Sequence, residues 1–378
     1  MNYNFDELIN RKNTDSFKWD FFQDPEGTIP MPVADMDFRC PEPILQALRE
    51  VTEHGVFGYS VVPETLKDIL QKRLEDLYGW KTEKEWQVWI PGLVPAITAS
   101  CRAIGEQTDA IITSIPVYHP FHLAPNYVGK KLQTFPMIEV ENRWTFDFEA
   151  LETTITPETK LFMLCNPYNP AGTVFTKQEL EQLVAICQKH GIVICADEIH
   201  CDLILDSEKK HIPIASLSQE AENMTITLLA PSKTFNIAGL GCSVAIIPNV
   251  ELRKKFEDAK NGFFPPLTRH SLVAAIAAYR DCEDWRQQLV TYLKANHDYI
   301  YHELNGYQGL KMLPLEATYL AWIDASGTGI PNIQEKILQA GVRLMDGKIF
   351  MGEGFLRMNF ACPKSLVIEA VERIKGVL

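Results

Sequence analysis

The sequence predicts an α/β fold: a large unit on a mostly parallel sheet between helices, and a smaller α+β unit. Two features carry this. From about residue 88, short and nearly continuous apolar runs alternate with amphipathic stretches, the pattern of strands buried on both faces and joined by helices. After Thr268 the alternation gives way to one or two long helical stretches followed by isolated short strands. The length of 378 residues allows two domains and a large core.

Residues 1–40 are rich in proline and aromatics without sustained periodicity, and read as an extended arm that packs on the rest. Helical spacing begins near Pro41, with Ile44, Leu45, Leu48 and Val51 on one face, and a second helix spans roughly 63–78. Strands are expected at 88–90, 110–113, 161–164, 192–196, 225–230 and 243–247. Between them, the clearest helix is 176–190, where Thr176 and Glu179 form a capping-box pattern and Gly191 is the stop. One or two helices are expected over 269–304, then a strand at 318–323, a helix near 331–340, a strand at 354–360 and a last helix at 364–377. The expected division is a large unit at 46–285 and a small one made of 1–45 with 286–378.

Composition narrows the function classes. The net charge of −13 argues against a nucleic-acid surface and against attachment to anionic lipid. It leaves anionic ligands open, because a buried site makes its own local field. Nine cysteines are scattered without a Cys-x-x-Cys pair, which reads as free thiols in a reducing compartment, with Cys165, Cys195 and Cys242 in the core. No secretory signal and no apolar run of membrane-spanning length is visible, so the expected location is the cytoplasm. The histidines show no metal-ligand spacing, and no metal is expected.

Three segments carry chemistry: Cys165 to Gly172, Ala196 to His200, and Leu229 to Asn236. Each follows an apolar run at what would be the carboxyl end of a strand, where open α/β sheets gather ligand groups. Together they offer what pyridoxal phosphate (PLP) requires. Lys233 can form a Schiff base, Asp197 can keep the ring nitrogen protonated, and Asn169 can bond the ring oxygen. Taken singly, Lys233 is a surface charge, Asp197 a helix cap or loop acid, and Asn169 a turn residue; Asn166 reads as structural. Around the trio, Gly92, Leu93 and Val94 open a helical run able to hold a phosphate on backbone amides, with Ser232 adding a hydroxyl. Tyr118 can stack on the ring or be an ordinary core aromatic. Arg357, between apolar neighbours, suits the α-carboxylate of an amino acid or a structural ion pair.

With these residues the chain resembles the fold type I PLP enzymes of the aspartate-aminotransferase superfamily. Within it, the chain is similar to the bacterial β C–S lyases, the cystathionine β-lyases of aminotransferase type. The resemblance extends from Phe5-Asp6-Glu7-Leu8 and residues 14–20 through Val33 to Phe38, Gly58-Tyr59-Ser60, Asp197-Glu198-Ile199-His200 and residues 231–240 to Arg357-Met358-Asn359-Phe360. It implies a seven-stranded main sheet and a homodimer with shared active sites. Tyr59 would reach the neighbouring subunit's cofactor and substrate, while Ala34 and Asp35 would lie over the substrate opposite Arg357. Two positions depart from the wider superfamily: His200 stands where many aminotransferases carry a tyrosine near the ring, and Gly241 where many carry a phosphate-binding arginine.

The expected function is therefore a PLP-dependent β C–S lyase that cleaves cystathionine or related cysteine S-conjugates to thiol, pyruvate and ammonia. Lys233 would serve as anchor and base, with Asp197 and Tyr118 beside it. Elimination over transamination rests on the branch resembled. The alternatives are a PLP-dependent aminotransferase and a PLP-binding regulatory protein.

Overall fold

The computed structural model describes residues 3–378. Its main sheet has eight strands, in the order Gln87–Ile90, Ser243–Ile246, Thr225–Leu229, Val193–Asp197, Thr159–Cys165, Ala110–Ile115, Lys131–Val140 and Arg143–Phe146. The five strands from Thr225–Leu229 to Lys131–Val140 run parallel. Antiparallel pairings attach Ser243–Ile246, Gln87–Ile90 and Arg143–Phe146 at the two sides. The central strands are buried along nearly their whole length, as their apolar runs require.

The six strands expected in this region are all present. The seven-stranded expectation is corrected to eight. The two outermost strands on one side, Lys131–Val140 and Arg143–Phe146, leave no apolar run in the sequence. Of the former only Phe135 and Met137 are buried, and Pro136 lies exposed between them. A two-residue turn joins them, with Glu141 at φ 49° and Asn142 at φ 63°, the backbone that twists a tight hairpin correctly.

Helix limits follow local chemistry. Thr176 and Glu179 make the reciprocal capping box on Lys177–His190, which ends at Gly191 with φ 66°. The region 269–304 forms two helices, Arg269–Asp281 and Glu283–Leu304, separated at Cys282. All nine cysteines are free thiols, and Cys165, Cys195 and Cys242 are buried. Among the described residues no helix is long and apolar enough to cross a membrane.

A second sheet orders Lys311–Met312, Leu320–Asp324, Phe355–Asn359 and Met345–Asp346, all antiparallel. The N-terminal arm is tied to this part of the chain, since Ile29–Pro30 pairs in parallel with Val342–Arg343. Phe5 packs edge-on against Phe38 and Trp285. Lys18 is buried and donates to Asp37 at 2.7 Å, and Asp37 also accepts from Arg11 at 2.6 Å and Trp19 at 2.8 Å. These bonds fix residues 33–38, the strip that borders the site. Burial pushes the Asp37 carboxyl up, but the charge and hydrogen bond of Lys18 outweigh it and hold the group below the usual range.

Replacing Asp37 by alanine strands Lys18 in the interior. Asp37→Ala should lower unfolding stability by about 3–5 kcal/mol in urea. An unchanged urea midpoint would contradict this view of the arm.

Candidate active site

Three adjacent parallel strands deliver the principal side chains. Asp197 is the last residue of Val193–Asp197. On one side, Thr159–Cys165 leads into Asn169; on the other, Thr225–Leu229 leads into Lys233. Segments distant in sequence thus meet at one sheet edge, around a cavity of ≈ 220 Å³.

Asp197 is buried at the cavity floor. Its Oδ1 accepts from the Ile199 N–H at 3.1 Å. Burial pushes its carboxyl up to about 7, against the pull of that hydrogen bond and of the Lys233 charge. Lys233 donates from Nζ to the Ala34 carbonyl at 2.6 Å. Burial pushes its amine down to about 8; Arg357 adds to this, while Asp35 and Asp197 oppose it. Both groups therefore change protonation near neutral pH, which is unusual for either side-chain type.

Arg357 lies on Phe355–Asn359, buried over the Phe350 ring at 4.5 Å. It donates to Asn169 Oδ1 at 3.1 Å and to the Pro32 carbonyl at 2.8 Å, and its Nε has no partner. No carboxylate pairs with it among the described residues. Burial accordingly pushes it down to about 10. The structural ion pair allowed by the sequence is not formed. Since Asn169 Oδ1 is taken by Arg357, its amide nitrogen remains available to a ligand.

Gly92 caps the helix Leu93–Ala103, and Gly92, Leu93 and Val94 line the cavity with Ser232 and Tyr118. The first amides of a helix lack acceptors within it, so this end suits an anion. Gly241 also faces the cavity, at φ 56°, and a Cβ there would lie 2.8 Å from the Pro91 carbonyl oxygen. That close approach excludes an arginine at this position without a backbone shift. His200 lines the cavity, buried, with an unpartnered Nδ1. Burial, reinforced by Lys233 and Arg357, pushes it down to about 3, so it is neutral. Burial likewise raises the Tyr118 phenol.

Ala34 is at the cavity and Asp35 just beyond it, bound by Arg11 at 2.9 Å. Tyr59 is fully exposed and does not line this chain's cavity. Among the described residues no cluster could hold a metal ion.

The sequence reading missed several contributors. Tyr319 donates to the Ala34 carbonyl at 3.0 Å. Asn236 clasps residue 36, accepting from its N–H at 2.9 Å and donating to its carbonyl at 3.0 Å. Asn359 donates to the Val33 and Asp35 carbonyls. Both asparagines lie inside quoted motifs, beside Lys233 and Arg357. Tyr319 had no such signal.

The donor set fits PLP: an amine for its aldehyde, a buried acid lacking a cation for its ring nitrogen, an amide for its ring oxygen and a helix terminus for its phosphate. Comparisons with known proteins agree. The aminotransferase class I and II family profile matches residues 29–374. Cystathionine beta-lyase PatB of Bacillus subtilis (strain 168) is 37% identical over 390 residues, covering 99% of this chain and 100% of that protein. The crystal structure of OvoB superposes with a TM-score of 0.97 at 40% identity, covering 100% of this chain and 99% of that one. Cystalysin from Treponema denticola, which contains pyridoxal 5′-phosphate, superposes with a TM-score of 0.95 at 31% identity over 100% and 99% of the chains.

Only the neutral amine attacks an aldehyde. Attachment of PLP to the cofactor-free protein should therefore speed up with pH and level off above about 8, measured by stopped-flow absorbance. A rate still climbing toward the ordinary lysine value of 10.5 would contradict the burial of Lys233.

Proposed function

The chain belongs to the aminotransferase class I and II family, and we propose that it is a PLP-dependent carbon–sulfur lyase. It would cleave cystathionine or related cysteine S-conjugates by α,β-elimination, giving a thiol, pyruvate and ammonia. The observation that carries the amino-acid substrate is Arg357, buried without an acid and bonded to Asn169 beside the Lys233–Asp197 cavity. The likeness to cystathionine beta-lyase PatB over the full chain favours elimination.

In this reading each side chain has a distinct task, and Lys233 has two. Lys233 would anchor the cofactor and would yield that place to the substrate amine. Asp197 would keep a proton on the ring nitrogen, and would thereby gain the cationic partner its burial lacks. When bound, PLP supplies the electron sink that makes the substrate Cα proton acidic. Lys233, with its lowered proton affinity, takes that proton. The Cβ–S bond then breaks with its electron pair leaving on sulfur, and the three-carbon remainder hydrolyses to pyruvate and ammonia. Asn169, His200 and Tyr118 would hold the ring, and Ser232 with the amides of 92–94 would hold the phosphate. Arg357 takes the substrate carboxylate opposite Ala34 and Asp35.

We assign Tyr59 to the cofactor and substrate of a second copy of the chain, in a homodimer. Val56, Phe57, Tyr59 and Val61 form an exposed apolar stretch that supports this. Free thiols throughout support a cytoplasmic location. The two sheets support a division at 46–285 against 1–45 with 286–378.

Purified protein given cystathionine and PLP should release pyruvate and thiol in equal amounts over many turnovers. Stoichiometric pyridoxamine phosphate without pyruvate would establish a transaminase instead, and no spectral change with any amino acid would favour a regulator. Arg357→Gln should raise KM for cystathionine by about 100-fold, the loss of a charge-assisted pair of about 3 kcal/mol. An unchanged KM would remove Arg357 from carboxylate binding.

A further inference from the structure

Among the described residues the Ala34 carbonyl is the one acceptor for the Lys233 amine, at 2.6 Å, and it accepts a second hydrogen bond from the Tyr319 hydroxyl at 3.0 Å. A carbonyl oxygen has two lone pairs. With one held by a buried phenol, the other is fixed in direction toward the Lys233 nitrogen.

Tyr319 is itself tied in on both sides by hydrogen bonds. The residue before it, Thr318, is buried with φ 74°, a left-handed backbone that a β-branched residue rarely adopts. Such strain persists only where the surroundings over-determine it, and it concentrates at functional sites. Here the surroundings do so. Ala317 donates to the Gly172 carbonyl at 2.9 Å and Thr318 to the Leu203 carbonyl at 2.8 Å, while the residue 316 carbonyl accepts from Leu205 at 2.9 Å. The Glu316 carboxylate accepts from the Val174 N–H at 2.7 Å and Arg143 at 3.2 Å, and pairs with Lys209 at 3.0 Å. After Tyr319 the chain enters Leu320–Asp324 and is fixed again, where Phe360 donates to the Tyr319 carbonyl at 3.0 Å. Leu315 fills the space a side chain at Gly172 would need. The clamp thus joins the large sheet's loops to the second sheet, and its phenol reaches the Ala34–Lys233 pair.

We propose that Tyr319 is a positioning residue, and that the Ala34 carbonyl it fixes is the dock for the Lys233 ammonium formed during catalysis. This rests on the lyase reading, in which Lys233 is the base. The amine takes the Cα proton: the Cα–H bond breaks, an N–H bond forms, and the electron pair stays with the substrate. The resulting ammonium moves to the Ala34 oxygen, where it is held away from Cα. The pair at Cα then forms the Cα=Cβ bond as Cβ–S breaks, and the departing sulfur takes the proton from the docked ammonium. The charged groups facing Lys233 are Asp35, Asp197 and Arg357. They set its proton affinity, whereas the dock sets its place.

Two measurements on the holoenzyme test this. The first is a crystal structure with 2-aminoisobutyrate, which frees Lys233 but has no Cα proton to lose. Its Nζ should lie within hydrogen-bond distance of the Ala34 oxygen in the native protein and be dispersed in Tyr319→Phe; an Nζ placed elsewhere in the native protein overturns the proposal. The second is kinetic. Tyr319→Phe should lower kcat about tenfold, as loss of one hydrogen bond would. KM, the melting temperature and the cofactor absorbance should be unchanged, and the isotope effect with Cα-deuterated cystathionine should fall, because return of the proton to Cα then competes with loss of the sulfur. A native kcat and isotope effect would overturn it, as would a fall in kcat accompanied by lost cofactor and a lower melting temperature. Absence of pyruvate from the native enzyme would instead sink the lyase reading, whatever the position of Nζ.

Discussion

A buried acid and a half-buried amine line one small cavity, and a buried guanidinium stands beside it, without settling one another's charge. Asp197, pushed up to about 7, and Lys233, pushed down to about 8, are each near the point of changing protonation. Arg357 has only neutral partners. Burying such groups is costly unless they are paired. The partners that complete this set are a cationic ring nitrogen, an aldehyde and a carboxylate, which a PLP-bound amino acid carries together. The fold's main task is to hold the unfinished arrangement in place.

It does so through parallel order. Three neighbouring strands end at the same level, which brings the loops carrying Asn169 and Lys233 to the two sides of Asp197. Arg357 comes from the other sheet and bonds both Asn169 and the Pro32 carbonyl, just before the strip at 33–38. That strip has little regular structure, and side chains bind its backbone: Asn236 from the lysine loop, Asn359 from the second sheet, and Arg11 from the arm. The Lys18–Asp37 pair holds its outer edge. The extended N-terminus is thereby part of the site's framework.

The sequence revealed the groups that sit in short patterns at the ends of apolar runs. Lys233, Asp197 and Asn169 follow three such runs, and Arg357 is conspicuous between Leu356 and Met358. The parallel core was legible for the same reason. The hairpin at Lys131–Val140 and Arg143–Phe146 was not, because a lateral strand carrying Pro136 and alternating polar residues has no apolar run to betray it. Tyr319 was invisible because its partner lies 285 positions away, and nothing in its neighbourhood announces the strained Thr318. The glycine at 241 was visible as a departure, but its cause, the nearby Pro91 carbonyl, exists only in the folded chain.

The most direct measurement is nitrogen-15 NMR of PLP labelled at the ring nitrogen and bound to this protein at neutral pH. If Asp197 shares its proton with that nitrogen, the shift will be that of a pyridinium in the native protein and of a neutral pyridine in Asp197→Asn. A neutral pyridine in the native protein would contradict the role given to the buried acid and, with it, the electronic basis of the reaction.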